Sequence, residues 1–153
     1  MDKPRPVATE RGWTLVRNIG NLANLSTPLG LVVALCSRAR LRMVDGLLVA
    51  DNARLPFIQA SAMAIGSVVL VNGRTLEEAQ LRIPALLEHE NSHAWQYAYC
   101  LGLPFIPAYT VAMIWSQLSR GDRASANFFE RQAGLASGGY QAQERRRRAD
   151  RAS

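Results

Sequence analysis

Only two histidines, two cysteines and one lysine occur in this chain of 153 residues. Each scarcity excludes something. Cys36 and Cys100 lie far apart and form no CxxC pair, which argues against a cysteine-built zinc site. The plain expectation for them is two small buried apolar residues, since a disulfide needs an oxidising compartment. Lys3 is the only lysine, so the basic character is almost all arginine. The first residues, Met1-Asp2-Lys3-Pro4-Arg5-Pro6, lack the apolar core of a signal peptide. The longest apolar stretches, Leu29 to Cys36 and Leu101 to Trp115, are too short or too interrupted to cross a bilayer as plain helices. A soluble cytoplasmic protein is expected, with peripheral membrane contact left open by the second stretch. No aromatic-and-basic strand pattern suggests a nucleic-acid partner, and there is no internal repeat.

Length and composition fit one domain with one core: 48% of residues are hydrophobic and 20% charged. The net charge of +6 is concentrated at the C-terminus. The expected organisation is a flexible N-terminal arm over residues 1–11, a single folded domain over 12–136, and a basic, disordered tail over 137–153. Within that tail Arg145, Arg146, Arg147 and Arg148 form a run suited to a weak anionic-surface contact.

The hydrophobic pattern predicts an α+β protein, a short antiparallel sheet packed on several helices. Trp13, Val16, Ile19, Leu22 and Ala23 fall at helical spacing. Thr27-Pro28 reads as the N-cap and first position of a second helix running to about Ser37. Asp45-Gly46 is a two-residue hairpin turn between Leu41–Val44 and Leu47–Ala50. Ala62 to Val71 reads as one strand with Gly66 as a bulge. Thr75 and Glu78 form a capping box. A helix is expected from Pro84 to Leu101, ended by Gly102. Leu103 to Pro107 reads as a stiff connector, followed by helices over Pro107–Ser119 and Asn127–Leu135.

Both histidines belong to His89-Glu90-Asn91-Ser92-His93, an HExxH pattern inside the predicted Pro84–Leu101 helix. Four-residue spacing places the two imidazoles one turn apart on one face, where they can share a metal ion. Glu90 stands where a zinc hydrolase keeps its general base. Zinc in such sites takes three protein ligands and an exchangeable water, whose pKa falls to about 7. There is no third histidine, so the third ligand is expected to be a carboxylate. Glu130 is the preferred residue and Asp122, in a turn, the alternative. Glu130 also fits as the capping-box partner of Asn127 within its own helix. Gln96 and Tyr97 follow His93 by three and four residues and share its face, as supports for the ligands or as packing. Asn127 is a further supporting residue. Tyr109 is a candidate donor to an oxyanion or a core tyrosine. The 62–71 strand, if at an edge, could pair with an extended peptide.

Three segments together resemble small bacterial zincin-like proteins, similar in outline to the glutamate-liganded zincins: His89 to Tyr97, Leu103 to Tyr109, and Asn127 to Ala133. The resemblance spans about Asn18 to Ala136. It implies His89, His93 and Glu130 as zinc ligands, Glu90 as catalytic base, and a peptide or protein substrate. One departure stands out. Gly134 occupies the place four residues after the ligand glutamate where the family carries Asp or Ala. The alternatives kept beside a zinc metallopeptidase are a non-catalytic, metal-stabilised binding domain and an adaptor acting through the arginine run.

Overall fold

The chain folds so that one helix lies between a small sheet and a C-terminal helix, and everything else holds that helix in place. The computed structural model describes residues 8–56 and 58–140. In order the elements are α1 (Ala8–Ala23), α2 (Ser26–Cys36), β1 (Arg40–Val44), β2 (Leu47–Ala53), β3 (Ala62–Ile65), β4 (Val68–Asn72), α3 (Leu76–Gln80), α4 (Leu86–Tyr99), α5 (Phe105–Arg120) and α6 (Phe128–Ala133). The architecture is α+β, as the hydrophobic pattern predicts.

The sheet has the order β1-β2-β4-β3. It is mixed rather than antiparallel: β1 pairs β2 and β3 pairs β4 antiparallel, but β2 and β4 run parallel. The Asp45-Gly46 turn forms as expected, both residues at positive φ (47° and 77°). The expected single strand over Ala62–Val71 is instead a hairpin. Gly66 is its turn and not a bulge, with φ 62° and the Thr27 nitrogen 2.4 Å from where a Cβ would stand. No other residue fits there. That turn sends β4 back beside β2 in parallel, which is why the sheet is mixed.

Apolar side chains fill both faces of the sheet. On one, Leu47, Val49, Val69 and Val71 pack with Leu76, Leu86, Leu87 and Ala94 from α3 and α4. On the other, Ala50, Val68 and Leu70 pack under Ala34 of α2, and the cluster continues to Tyr97 and Phe105. Each fully buried Val or Leu contributes about 1.5–3 kcal/mol relative to exposure.

Several boundaries differ from the sequence reading. Helix α1 starts at Ala8, inside the segment expected as an arm over 1–11; residues 1–7 lie outside the described part. Helix α2 starts at Ser26, and Thr27 does not cap it. The Asn24 side chain accepts the Ser26 N–H, which frees the Thr27 hydroxyl to accept the Ser67 N–H. The Thr75–Glu78 capping box forms. Helix α4 is shorter than predicted at both ends, and Leu101 as well as Gly102 turns left-handed after it. The stiff connector is helical from Phe105, because Pro107 sits in the first turn of α5, where no intrahelical N–H is required. Helix α6 is limited to Phe128–Ala133. Cys36 is exposed and Cys100 half-buried, both free, contrary to the buried pair expected; Cys36 ends α2 on its solvent side.

Two helices are turned inside out. An amphipathic surface helix ordinarily faces its apolar stripe inward. Helix α1 instead buries Arg17 and Asn21 and leaves Leu15, Val16, Ile19 and Leu22 exposed. Asn21 donates to Ser67 Oγ and to the Ala94 carbonyl of α4, and Arg17 donates to Asn91 and to the Gly46 carbonyl. Helix α5, beyond the buried Phe105 of its first turn, likewise buries Ser116 and exposes Val111, Ile114, Trp115 and Leu118. Among the described residues no single helix is long and apolar enough to cross a membrane.

Candidate metal centre

His89 and His93 project from α4 toward α6 and are almost fully buried, as is Glu130 of α6. His89 Nε2 lies 3.1 Å from His93 Nε2 and 3.1 Å from Glu130 Oε2, and His93 Nε2 lies 3.5 Å from Glu130 Oε1. These three side chains form a group able to hold a metal ion.

Hydrogen bonds fix which ring nitrogens face that point. His89 Nδ1 is 3.1 Å from the Gly134 carbonyl oxygen, which can only accept, so Nδ1 carries the proton. Gln96 Nε2 donates to the Phe129 carbonyl at 2.9 Å and to Gln132 Oε1 at 2.9 Å. That sets the amide so that its oxygen faces His93 Nδ1 at 2.8 Å, and that nitrogen too is a donor. With both Nδ1–H groups engaged, the Nε2 lone pairs converge with the Glu130 carboxylate. Glu130 Oε2 is buried, and its contact with His89 does not satisfy it as a hydrogen bond.

Three acceptors this close repel unless a positive charge, a proton on His93 or a metal ion, lies among them. Tetrahedral ligands at about 2.0–2.1 Å from zinc stand ~3.3–3.4 Å from one another. The two Nε2 atoms stand 3.1 Å apart, close to that spacing, and each lies 3.1 or 3.5 Å from a different oxygen of the Glu130 carboxylate. The donor set of two imidazoles and one carboxylate also suits zinc. The residues present therefore fit a metal ion.

The electrostatics point the same way. Burial opposes ionisation of Glu130, but contacts with His89 and His93, the His93 charge and the Tyr109 hydroxyl outweigh it, and the carboxyl is held far below its usual range. Burial alone would lower His93, yet Glu130, Glu90 and Gln96 together raise it to about 8. Glu90 is buried, and burial pushes it up despite the neighbouring histidines and the Ala64 N–H. Its Oε2 has no hydrogen-bond partner. A buried carboxylate with one unpartnered oxygen and raised proton affinity, beside a group able to hold a metal ion, is suited to accept a proton.

The other expected residues divide. Gln96 orients His93 as described. Asn127 caps α6 by accepting the Phe129 N–H at 3.0 Å. It thereby holds the helix carrying Glu130, whose own carboxylate faces the histidines and not its helix N-terminus. Tyr109, on α5, donates its hydroxyl to Glu130 Oε1 and sets its ring edge-on against His93. A hydroxyl has one hydrogen, so in this form it orients a ligand and is not free for an oxyanion. Tyr97 lies in the apolar cluster with its ring on Phe105, centroids 4.5 Å apart, rather than on a ligand. Asp122 accepts the Ala124 and Ser125 N–H groups in its own turn and takes no part in the centre.

Sequence reasoning missed the covering segment. Residues 137–140, expected as tail, turn back over the site. A Cβ on Gly138 would stand 2.6 Å from His89 Cε1 and 2.9 Å from its Nε2. The Tyr140 ring packs edge-on to His89, and its hydroxyl interacts with Glu130 and Tyr109. Gly134 supplies the carbonyl that fixes His89. Only the glycines at 134, 138 and 139 hinted that the chain approaches something closely there. The Arg145–Arg148 run lies outside the described residues.

No family model, curated protein or solved structure matches this chain.

Proposed function

We propose that this protein is a zinc-dependent metallopeptidase of the glutamate-liganded, zincin-like kind. The observation that carries the reading is the convergence of His89 Nε2, His93 Nε2 and the Glu130 carboxylate within reach of one metal ion, with both Nδ1 atoms already committed elsewhere. These three residues would hold the ion. Zinc bound there would make a water acidic near neutral pH and polarise a substrate carbonyl.

The chain's own groups do the rest. Glu90 accepts the water's proton and delivers it to the leaving amine nitrogen. Gln96 and the Gly134 carbonyl keep both imidazoles in the ligating tautomer. Strand β3 is at the sheet edge and packs beside α4, with its Ala64 N–H on Glu90. An extended peptide pairing with that edge would lie next to the catalytic base.

Zinc content of protein purified without a histidine tag tests the metal. Near-stoichiometric zinc is expected, with a rise in melting temperature on adding zinc that His93→Ala loses. Glu90→Gln separates catalysis from binding: the variant keeps the metal, and peptide hydrolysis falls by about 100-fold or more. Metal-free protein indifferent to zinc would end the proposal.

One observation favours a second reading, a metal-stabilised domain without activity. All three ligands and Glu90 are buried, and Gly138 and Tyr140 close over His89. Zinc-loaded protein that cleaves nothing in a broad peptide library, alongside an equally inert Glu90→Gln, would establish it.

A further inference from the structure

The inside-out helix α1 belongs to a larger exposed apolar surface. Leu15, Val16, Ile19 and Leu22 recur at the spacing of one helix face, with Trp13 beside them, and Ile19 is 57% exposed. Helix α1 packs on α2, whose Val32 and Leu35 are also exposed. Leu25, exposed, stands at the corner between the two helices. Arg17 and Asn18 of α1 bond the Gly46 carbonyl in the turn that ends β1. From β1, Leu41 and Met43 lie opposite Ala50 and Leu48, on the sheet face that α2 covers, and Met43 is 65% exposed. The apolar side chains thus sit on α1 and α2, which pack together, and on β1, whose following turn α1 bonds. A patch this extended on a soluble domain marks an interaction surface.

The chain's remaining residues are poorly suited to cover it. Residues 1–7, 57 and 141–153 contain Met1, Val7 and Phe57 as their only large apolar side chains. Two further observations point to lipid. Helices α1 and α2 together reach the length and apolar composition of a membrane segment, but are bent by 76° at their junction, which suits lying in an interface and not crossing it. At the C-terminal end of α2, Arg38, Arg40 and Arg54, with Asn52 and Gly73, line an open cavity of ≈ 430 Å³. Three of those five residues are arginines and none is acidic. Guanidinium groups bind phosphate oxygens in a two-pronged geometry.

We propose that the α1–α2–β1 surface docks on an anionic lipid bilayer, with the apolar side chains entering between headgroups and Arg38, Arg40 and Arg54 receiving headgroup phosphates. The metal centre plays no part in this contact, so its failure and that of the proposed hydrolase are independent.

Flotation of the full chain with vesicles tests it, comparing phosphatidylcholine alone with phosphatidylcholine containing phosphatidylglycerol. The wild type is expected to float with the anionic vesicles, more weakly at high salt, and in a Trp95→Phe, Trp115→Phe background the remaining Trp13 emission shifts to the blue. Ile19→Asp with Leu22→Asp should weaken binding roughly tenfold or more. Leu35→Asp with Met43→Asp, on different elements, should do the same, so the result does not hang on one variant's folding. Arg38→Gln, Arg40→Gln and Arg54→Gln combined should remove the preference for anionic vesicles. The proposal is overturned if the wild type floats with neither vesicle. It is equally overturned if folded aspartate variants bind as the wild type does, because the arginine tail then accounts for binding. Sedimentation as a dimer that the aspartate pair splits would assign the surface to self-association instead.

Discussion

His93 Nδ1 lies 2.8 Å from Gln96 Oε1, and the same amide reaches across to the Phe129 carbonyl of α6. One glutamine thus sets the histidine's tautomer and ties the ligand helix α4 to the helix that carries Glu130. Gln96→Ala removes both effects without touching a ligand. Zinc affinity should fall about 10–100-fold, measured by competition with a chromophoric chelator. Gln96→Glu should restore much of it, because a carboxylate also accepts the Nδ1 proton. Equal affinity in all three proteins would show that His93 is held by other means.

The pH dependence of metal binding follows from His93. In the metal-free protein its pKa is raised from 6.5 to about 8, so at neutral pH a proton occupies the ring nitrogen that the metal needs. Glu130, held low, stays ionised throughout and contributes nothing above mildly acid pH. Apparent zinc affinity should therefore rise about tenfold per pH unit up to about pH 8 and then level off. The stability of the metal-free form runs the other way. A raised histidine pKa stabilises fully below 6.5, and that contribution disappears as pH rises through about 8. Melting curves with and without zinc should diverge as pH increases. Parallel curves would contradict the assignment.

The two histidines on one helix face were legible in the sequence because helical spacing is a local rule: residues four apart share a face whatever surrounds them. A carboxylate was legible by elimination, since no third histidine exists, and Glu130 was preferred to Asp122 because it falls in a helix that the chain can fold back to the histidines. The supports were less so. Gly134 acts through its backbone carbonyl, and a glycine's letter says nothing about what its carbonyl meets. Residues 137–140 read as tail because Ser137-Gly138-Gly139 looks like a release of the chain and lies close to a basic run. Their approach to His89 is a tertiary contact with no periodic signature. The mixed sheet escaped for a related reason. Gly66 fits a bulge or a turn equally well by composition, and only the backbone of α2 lying 2.4 Å from its missing Cβ decides. The orientation of α1 misleads more deeply, since its pattern marks a helix correctly while its polar stripe, not its apolar one, faces the protein.

That polar stripe makes Asn21 a structural keystone. Its amide donates to Ala94 O at 2.8 Å and Ser67 Oγ at 3.2 Å, joining α1 to the ligand helix and to the β3–β4 turn while fully buried. Asn21→Leu should cost about 1–3 kcal/mol of unfolding free energy, because buried polar partners lose their donor. Chemical denaturation of the metal-free protein measures it. A variant as stable as the wild type would mean that the neighbouring groups find other partners and that the stripe is not what fixes α1.

Gly138 offers the sharpest probe of the cover over the metal centre. A methyl group there would meet His89 Cε1 at 2.6 Å and Tyr140 Cε2 at 2.8 Å, closer than carbon atoms approach. Something must yield. The His89 ring is held from behind by the Gly134 carbonyl and from the side by His93, so the 137–140 segment is the part able to move. Gly138→Ala is therefore expected to lift Tyr140 away from His89. Two consequences can be read separately. Zinc should leave faster to an excess of chelator, because the cover no longer seals the site. Zinc-free protein should show His89 more reactive toward an acylating reagent, located by peptide mapping. If the cover also bars substrate, peptide hydrolysis rises in the same variant. Unchanged zinc release together with unchanged His89 reactivity would show that the segment does not seal the centre in solution, and that burial of the ligands there is set by α4, α5 and α6 alone.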